Sequence, residues 1–291
     1  MKELISKATT LIEALPYIQA FRGAIVVVKF GGSAMEDPEL IESVLRDVVL
    51  MECIGMKPVI VHGGGKAISA RLEKLGIPVK RTAGMRHTCD ETIKIVDDVL
   101  HNEVNFNLFT LMQKHKAKVK QVSGKDILKA SKMYVDCPET GAKIDVGFVG
   151  NVDAVDADHI MEIIESGHIP IIAPLAKDDE GNIYNINADI AAAKVAEALK
   201  ARKLVFLSDV PGLLSNPPDE STLVHTIKVD EVEDYIQKGI IAGGMLPKIL
   251  SAVDALKAGT RKVHLIDGRM KHSLLLEVFT DSGVGTEIIN G

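Results

Sequence analysis

Short runs of β-branched residues that end in glycine and give way to helical periodicity recur along this chain, and that grammar is how parallel βαβ units read. Four strands stand out: Ile25 to Phe30, Pro58 to Val61, Leu204 to Leu207 and Lys262 to Ile266. Apolar spacing of three and four residues predicts helices at Pro38 to Ile54, Lys66 to Leu75, Cys89 to His115, Asp156 to Ser166, Ile190 to Ala201 and Leu246 to Ala258. Alternation of this kind predicts an α/β fold whose mainly parallel sheet is covered by helices. Between Lys118 and Gly150 the texture changes to Lys and Gly punctuation with alternating stretches such as Lys143 to Val149, which reads as β-hairpins. Ahead of the first strand, Leu4, Ile5, Ala8, Leu11, Ile12, Leu15 and Ile18 form one apolar stripe on an amphipathic helix that runs before or through Pro16. The stripe covers either its own domain or another subunit, and the two readings weigh about evenly.

Composition narrows the function classes. The 291 residues are 46% hydrophobic and 25% charged, without low-complexity tracts, so a packed core is expected. A formal net charge of -6 supplies no basic field for a polyanion, which argues against nucleic-acid binding. Cys53, Cys89 and Cys137 stand far apart and form no CxxC pair, which suggests neither a disulfide framework nor a metal site and fits a reducing cytoplasm. Glu3 and Glu13 interrupt the apolar residues of positions 1 to 22, unlike a secretory signal. No apolar run approaches the roughly 20 residues that span a bilayer. A break near Asp189 or Ile190 divides two closely packed lobes, 23–189 and 190–291.

The residues able to do chemistry cluster after the strands. In Val28-Lys29-Phe30-Gly31-Gly32-Ser33 the paired glycines let backbone N–H groups approach an anion, and Lys29 can reach the same anion. Tight turns use the same residues, so a single such loop is weak. A second copy, Val59-Ile60-Val61-His62-Gly63-Gly64-Gly65-Lys66, strengthens it, because loops at the carboxyl ends of parallel strands share a crevice. Neither loop is a Walker A, and Ile68 stands where a dinucleotide fingerprint needs Gly or Ala. A lone histidine beside a glycine loop more often packs or hydrogen-bonds than catalyses, and His62 receives no role.

Arg86, in Gly84-Met85-Arg86-His87-Thr88, can grip a carboxylate, although a solvated surface arginine is the commoner case. Asn185-Ile186-Asn187-Ala188-Asp189 either caps the next helix or presents amides and a carboxylate to a polar substrate. Ser208-Asp209-Val210-Pro211-Gly212-Leu213 ends a strand in a Pro-Gly turn that either wraps a nucleotide base or ribose or is plain turn chemistry. A third glycine pair, Gly243-Gly244, puts Lys248 in the first turn of a helix, where the dipole disfavours a cation. That mild violation points to function.

Five of these segments, the two glycine loops, Asn185 to Asp189, Ser208 to Gly212 and Gly243 to Lys248, in this order, resemble the amino acid kinase family over nearly the whole chain from Gly23, closest to those members that phosphorylate N-acetyl-L-glutamate and respond to arginine. The resemblance implies a three-layer sandwich with a central mainly parallel sheet between helices, and an added N-terminal helix at 1–22 that builds a hexamer as a trimer of dimers. It implies an acyl-acceptor lobe at 23–189 and an ATP lobe at 190–291. By motif, Lys29 and Lys248 would neutralise the transferring phosphoryl group and Asp189 would hold both lysines. Gly64, Gly65 and Arg86, with Asn185 as first choice and Asn187 as second, would take the acceptor. Gly31, Gly32, Ser208, Asp209, Val210, Pro211, Gly212, Leu213, Leu214, Gly243 and Gly244 would line the ATP site, with Mg²⁺ carried by ATP. Tyr17, Glu277, Gly283, Gly285 and Thr286 would bind arginine as an effector, and a nitrogen-signalling regulator is a further partner the resemblance suggests.

The chemistry agrees with the residue set. A Glu-type carboxylate, with a pKa of about 4.3, is ionised at neutral pH and needs no general base. The barrier is repulsion between anions, which lysines and oriented amides relieve. Two other readings compete: a relative acting on aspartate, glutamate, carbamate or a nucleoside monophosphate, and a non-catalytic arginine sensor, against which the presence of both lysines speaks.

Overall fold

The computed structural model describes residues 2–82, 84–136, 141–280 and 283–291. Cys137, which enters the sequence reading, lies outside the described residues. The four predicted strands form as Ile25–Phe30, Lys57–His62, Lys203–Ser208 and Lys262–Asp267. They belong to one eight-stranded sheet whose order is Thr226–Lys228, Thr286–Ile289, Lys262–Asp267, Lys203–Ser208, Ile25–Phe30, Lys57–His62, Ile169–Ala173 and Val119–Ser123. Every neighbouring pair is parallel except Lys262–Asp267 with Thr286–Ile289.

Both faces of the sheet are covered, which is why its central strands read as unbroken apolar runs. Val26, Val28 and Phe30 enter one core with Val44, Leu45, Val48 and Met51 of the helix Pro38–Cys53. Val27 points the other way, into a core with Ala191, Ala192 and Val195 of the helix Ala188–Ala198, whose small side chains let it lie close to the sheet. The three layers are therefore helix, sheet and helix, and a mainly parallel sheet between helices is what the structure shows.

Three expectations need correction. Val119–Ser123 lies inside the stretch read as hairpins, yet it is an edge strand of the central sheet, parallel to Ile169–Ala173. This edge strand has only Val119 and Val122 as apolar residues, so it lacks the unbroken apolar run that marks the central strands. The true hairpin is Leu128–Asp136 with Lys143–Val155, and with Leu175–Lys177 and Ile183–Asn185 it closes a small barrel. The single long helix at Cys89 to His115 forms as Asp90–Asp98, a π-helical segment Val99–Asn105 and Phe106–Lys114. Periodicity cannot see that widened segment because the apolar stripe continues through it.

The N-terminal helix is two, Lys2–Glu13 and Leu15–Phe21, with Pro16 tolerated in the first turn of the second. Phe21 is buried, with the Arg202 guanidinium 4.4 Å from its ring centroid. Ile5, Leu11 and Ile12 of the first helix and Leu15 of the second are exposed, so the described residues leave this part of the stripe uncovered. Among the described residues, no helix is long and apolar enough to cross a membrane.

Strand Ile25–Phe30 sits between Lys57–His62 on one side and Lys203–Ser208 on the other. The chain leaves it in one direction and returns in the other, a switch point outside whose carboxyl ends ligands collect. The loops at Gly31, Gly63 and Asp209 meet there.

Candidate active site

Lys29, two residues after Val27 on the same strand, points to the face covered by the helix Ala188–Ala198. Asn187 caps that helix, its side-chain oxygen accepting from the N–H of Asp189 at 2.8 Å and of Ile190 at 3.4 Å. The cap fixes Asp189 in the first turn, where the helix dipole favours a carboxylate. Its Oδ1 lies 3.0 Å from Lys29 Nζ and its Oδ2 accepts from Lys248 Nζ at 2.8 Å. All three side chains are largely buried. Burial acts to raise the Asp189 carboxyl pKa, and the two ammonium groups outweigh it and hold the carboxyl below its usual range. Lys248 is pushed down, first by burial and then by Lys29, against the pull of Asp189. Two cations share one anion, so the cluster retains an uncompensated positive charge, which makes it a seat for an anion.

The first glycine loop adjoins it. Gly32 has φ +72°, and a Cβ there would strike the Asp209 carboxylate, so both backbone and space require glycine. Asp209 Oδ1 accepts from the Ser33 N–H at 2.6 Å and from Ser33 Oγ at 2.8 Å, joining this loop to the one after Lys203–Ser208. Partial burial acts to raise the Asp209 carboxyl, and the Ser33 hydrogen bonds outweigh it, so it stands below its usual range. Ser208 is buried at the strand end and Val210, Pro211, Gly212, Leu213 and Leu214 continue the loop, with the Leu213 N–H bonded to Thr286 Oγ1 at 2.8 Å. Gly243 and Gly244 lead into the helix Met245–Lys257 that carries Lys248.

A cavity of ≈250 Å³ brings Lys29, Gly64, Gly65, Arg86, Asn185, Asn187 and Asp189 together, residues drawn from four separate motifs. Arg86 is buried, and its Nη2 donates to Gly65 O at 2.8 Å and to Ser69 Oγ at 2.7 Å. Burial and the nearby Arg81 lower its pKa. Its Nη1 is buried without a hydrogen-bond partner. The side-chain oxygen of Asn187 is committed to the cap, while Asn185 lines the cavity from the end of Ile183–Asn185.

A second cavity, of ≈670 Å³, lies on the other side of the molecule's strand ends, lined by Tyr17, Phe21, Lys203, His264, Glu277, Gly283 and Gly285 among others. Glu277 is buried and accepts from its surroundings: His264 Nδ1 is 2.5 Å from Oε1, and the Val284 N–H donates to Oε2 at 3.0 Å. Thr286, between the lining residues Gly285 and Glu287, is itself wholly buried, its hydroxyl accepting from the Leu213 N–H and donating to Val224 O.

Sequence reasoning passed over Ser33, Ser69 and Asn105, each of which bonds a residue of the site or its loops. Ser69 sits four residues after Gly65 on the helix Gly65–Lys74, a spacing that could have flagged it. Asn105 had no such signal, since His101, Asn102, Glu103 and Asn107 around it are polar too.

The profile of the amino acid kinase family matches residues 24–267. An acetylglutamate kinase from Syntrophomonas wolfei is 46% identical over 286 residues, covering 98% of this chain and 98% of that one. Among solved structures, N-acetylglutamate synthase from Neisseria gonorrhoeae complexed with coenzyme A and N-acetyl-glutamate aligns with a TM-score of 0.84 and 26% identity. The alignment covers 98% of this chain and 63% of that one, so this chain spans less than two thirds of the synthase. The synthase complexed with coenzyme A and L-arginine aligns with a TM-score of 0.80 and 25% identity, over 98% of this chain and 65% of that one.

Proposed function

Because this chain belongs to the amino acid kinase family, we propose that it transfers the γ-phosphoryl group of ATP to the side-chain carboxylate of N-acetyl-L-glutamate, giving an acyl phosphate and ADP. The observation that carries this reading is the Lys29–Asp189–Lys248 bridge opening onto a cavity that also holds Gly64, Gly65, Arg86 and Asn185. Two anions must meet for the reaction, and a cluster with surplus positive charge lowers that barrier without any proton transfer. Lys29 and Lys248 neutralise charge on the transferring group, and Asp189 keeps the two ammonium groups from separating. The carboxylate oxygen attacks phosphorus as the bond to the β-phosphate oxygen breaks, and ADP leaves with that electron pair. Arg86 offers a cation to the acceptor's other carboxylate, and the amides of the second glycine loop with Asn185 suit its acetamide.

ATP enters as its Mg²⁺ complex, on the side of Gly31, Gly32, Asp209 and the loop to Leu214, in the 190–291 lobe. Residues 23–189 form the acceptor lobe. Mg²⁺ needs only one or two carboxylates besides phosphate oxygens and water. Asp209, bonded to Ser33 of the first glycine loop, suits that place. The cytoplasm, where ATP is supplied, is the setting this reading implies.

The same reading includes inhibition by arginine in the ≈670 Å³ cavity. Buried Glu277 suits a guanidinium and Lys203 a carboxylate, and one of the aligned synthase structures carries L-arginine. The uncovered stripe of Lys2–Glu13 supports assembly through that helix, as in a hexamer. Coupled measurement of ADP release tests the whole: turnover with N-acetyl-L-glutamate should exceed that with aspartate, glutamate or carbamate, and arginine should suppress it. Equal or greater turnover with another acceptor would reassign the substrate, and no turnover with any would favour an arginine sensor.

A further inference from the structure

His62 ends the strand Lys57–His62, immediately before the three glycines, and is wholly buried. Its two ring nitrogens meet different groups. Nε2 lies 3.1 Å from Asn105 Nδ2, and Nδ1 lies 2.7 Å from the carbonyl oxygen of Gly63. The same Asn105 nitrogen donates to the carbonyl of Ile171 at 2.8 Å, in the strand beside Lys57–His62. Turned the other way, the Asn105 amide would set its oxygen against that carbonyl, acceptor on acceptor, so its orientation is fixed. An amide nitrogen only donates, hence Nε2 accepts, and the ring proton must sit on Nδ1 and be donated to Gly63. Burial pushes the imidazole down to about 4, with His101 on the π-helical segment also acting to lower it, so the ring stays neutral and keeps this one tautomer.

The consequence falls on the next N–H. The Gly63 carbonyl and the Gly64 N–H belong to one planar trans peptide and point in opposite directions. Drawing the carbonyl back to His62 therefore aims the Gly64 N–H away from the imidazole. The loop is pinned at its start as well, because the Gly63 N–H donates to Phe30 O at 2.7 Å. The π-helical segment Val99–Asn105 supplies both Asn105 and Leu100, against whose side chain a Cβ on Gly64 would collide. Gly64 and Gly65 line the ≈250 Å³ cavity.

We propose that His62 is a positioning residue for the acceptor: its Nδ1–H bond to Gly63 O aims the Gly64 amide into the cavity, and Asn105 sets the tautomer that makes the bond. The acceptor's identity rests on the function proposed above, whereas the tautomer does not. Selective ¹⁵N labelling of histidine in the ligand-free protein should show His62 protonated at Nδ1 and bare at Nε2. The opposite tautomer overturns the proposal whatever the protein phosphorylates. Kinetics then separate positioning from packing. His62→Leu, which keeps volume alone, should raise the KM for N-acetyl-L-glutamate about tenfold and leave the KM for ATP within about twofold. His62→Asn, with its amide where Nδ1 stands, should recover most of that loss, and His62→Gln, with its amide where Nε2 stands, should not. An unchanged acceptor KM in His62→Leu, or equal rises in both KM values, overturns the proposal. If His62→Leu fails to fold, the Asn and Gln variants carry the same contrast, and equal acceptor KM values for those two overturn it. No turnover by the unmodified protein would defeat the function instead, and the tautomer would still decide this inference.

Discussion

The molecule buries two clusters of charge, and they differ in sign balance. At the strand ends, Lys29 and Lys248 share Asp189, and one positive charge is left over. In the ≈670 Å³ cavity, Lys203 and His264 face Glu277, and Lys262 pairs with Glu287 at 2.6 Å, with burial lowering both Lys203 and His264. Burial acts to raise Glu277, and its hydrogen bond from His264 outweighs this, so it is held below its usual range. The first cluster sets two ammonium groups on one carboxylate and suits a polyanion in transfer. The second presents both signs in one cavity and suits a ligand that carries both, as an amino acid with a cationic side chain does. Burial alone does not announce chemistry, since buried ion pairs also occur as structure, whereas the leftover sign says what ligand each cluster lacks.

The sharpest way to break this contrast is Lys248→Ala, which removes the surplus charge. It should lower kcat by about 10²–10³-fold, as loss of a charge-stabilising donor does, and leave acceptor binding by calorimetry largely intact. Lost acceptor binding would contradict that role. Arg86→Ala should do the reverse, raising the acceptor KM roughly 30-fold with a smaller change in kcat, in line with losing a charge-assisted contact.

On the other cluster, Glu277→Gln keeps shape and removes one sign, and should raise the arginine concentration for half-inhibition about tenfold, the scale of one ion pair. Removing residues 1–22 takes away Tyr17 and the exposed stripe together, and should reduce both the mass seen by light scattering and the arginine response. Unchanged mass and unchanged response would sink the assembly reading. The smallest expected effect is in pH. Lys248 has a folded-state pKa below the ordinary 10.5, so its proton leaves the folded protein first and the basic limb of kcat should fall below that pH. Asp189 opposes the lowering, so Asp189→Asn should move the limb to lower pH still, and a limb that stays in place would deny the coupling.

Much of the fold was legible because its central strands are buried on both faces. Ile25–Phe30 starts and stops where its apolar run does. Val119–Ser123 was not legible, since only Val119 and Val122 of its five residues are apolar and no continuous apolar run marks it. The site shows the same division. Lys29, Gly64, Arg86, Asn185 and Asp189 stand out as motif residues, and the cavity gathers them. Asn105 does not, because its meaning lies in contacts 43 and 66 residues away.

The sequence by itself therefore determined the α/β class, the glycine loops after parallel strands and the two lysines beside them, since each depends on local periodicity or on residues adjacent in the chain. Tertiary structure alone decided that Lys29 and Lys248 share one carboxylate, that Thr286 is wholly buried, that Ile5, Leu11 and Ile12 stand exposed, and that His62 lies between Asn105 and the Gly63 carbonyl. Those are facts about charge, exposure and hydrogen-bond direction between distant segments, and no local pattern encodes a distance between groups that only folding brings together.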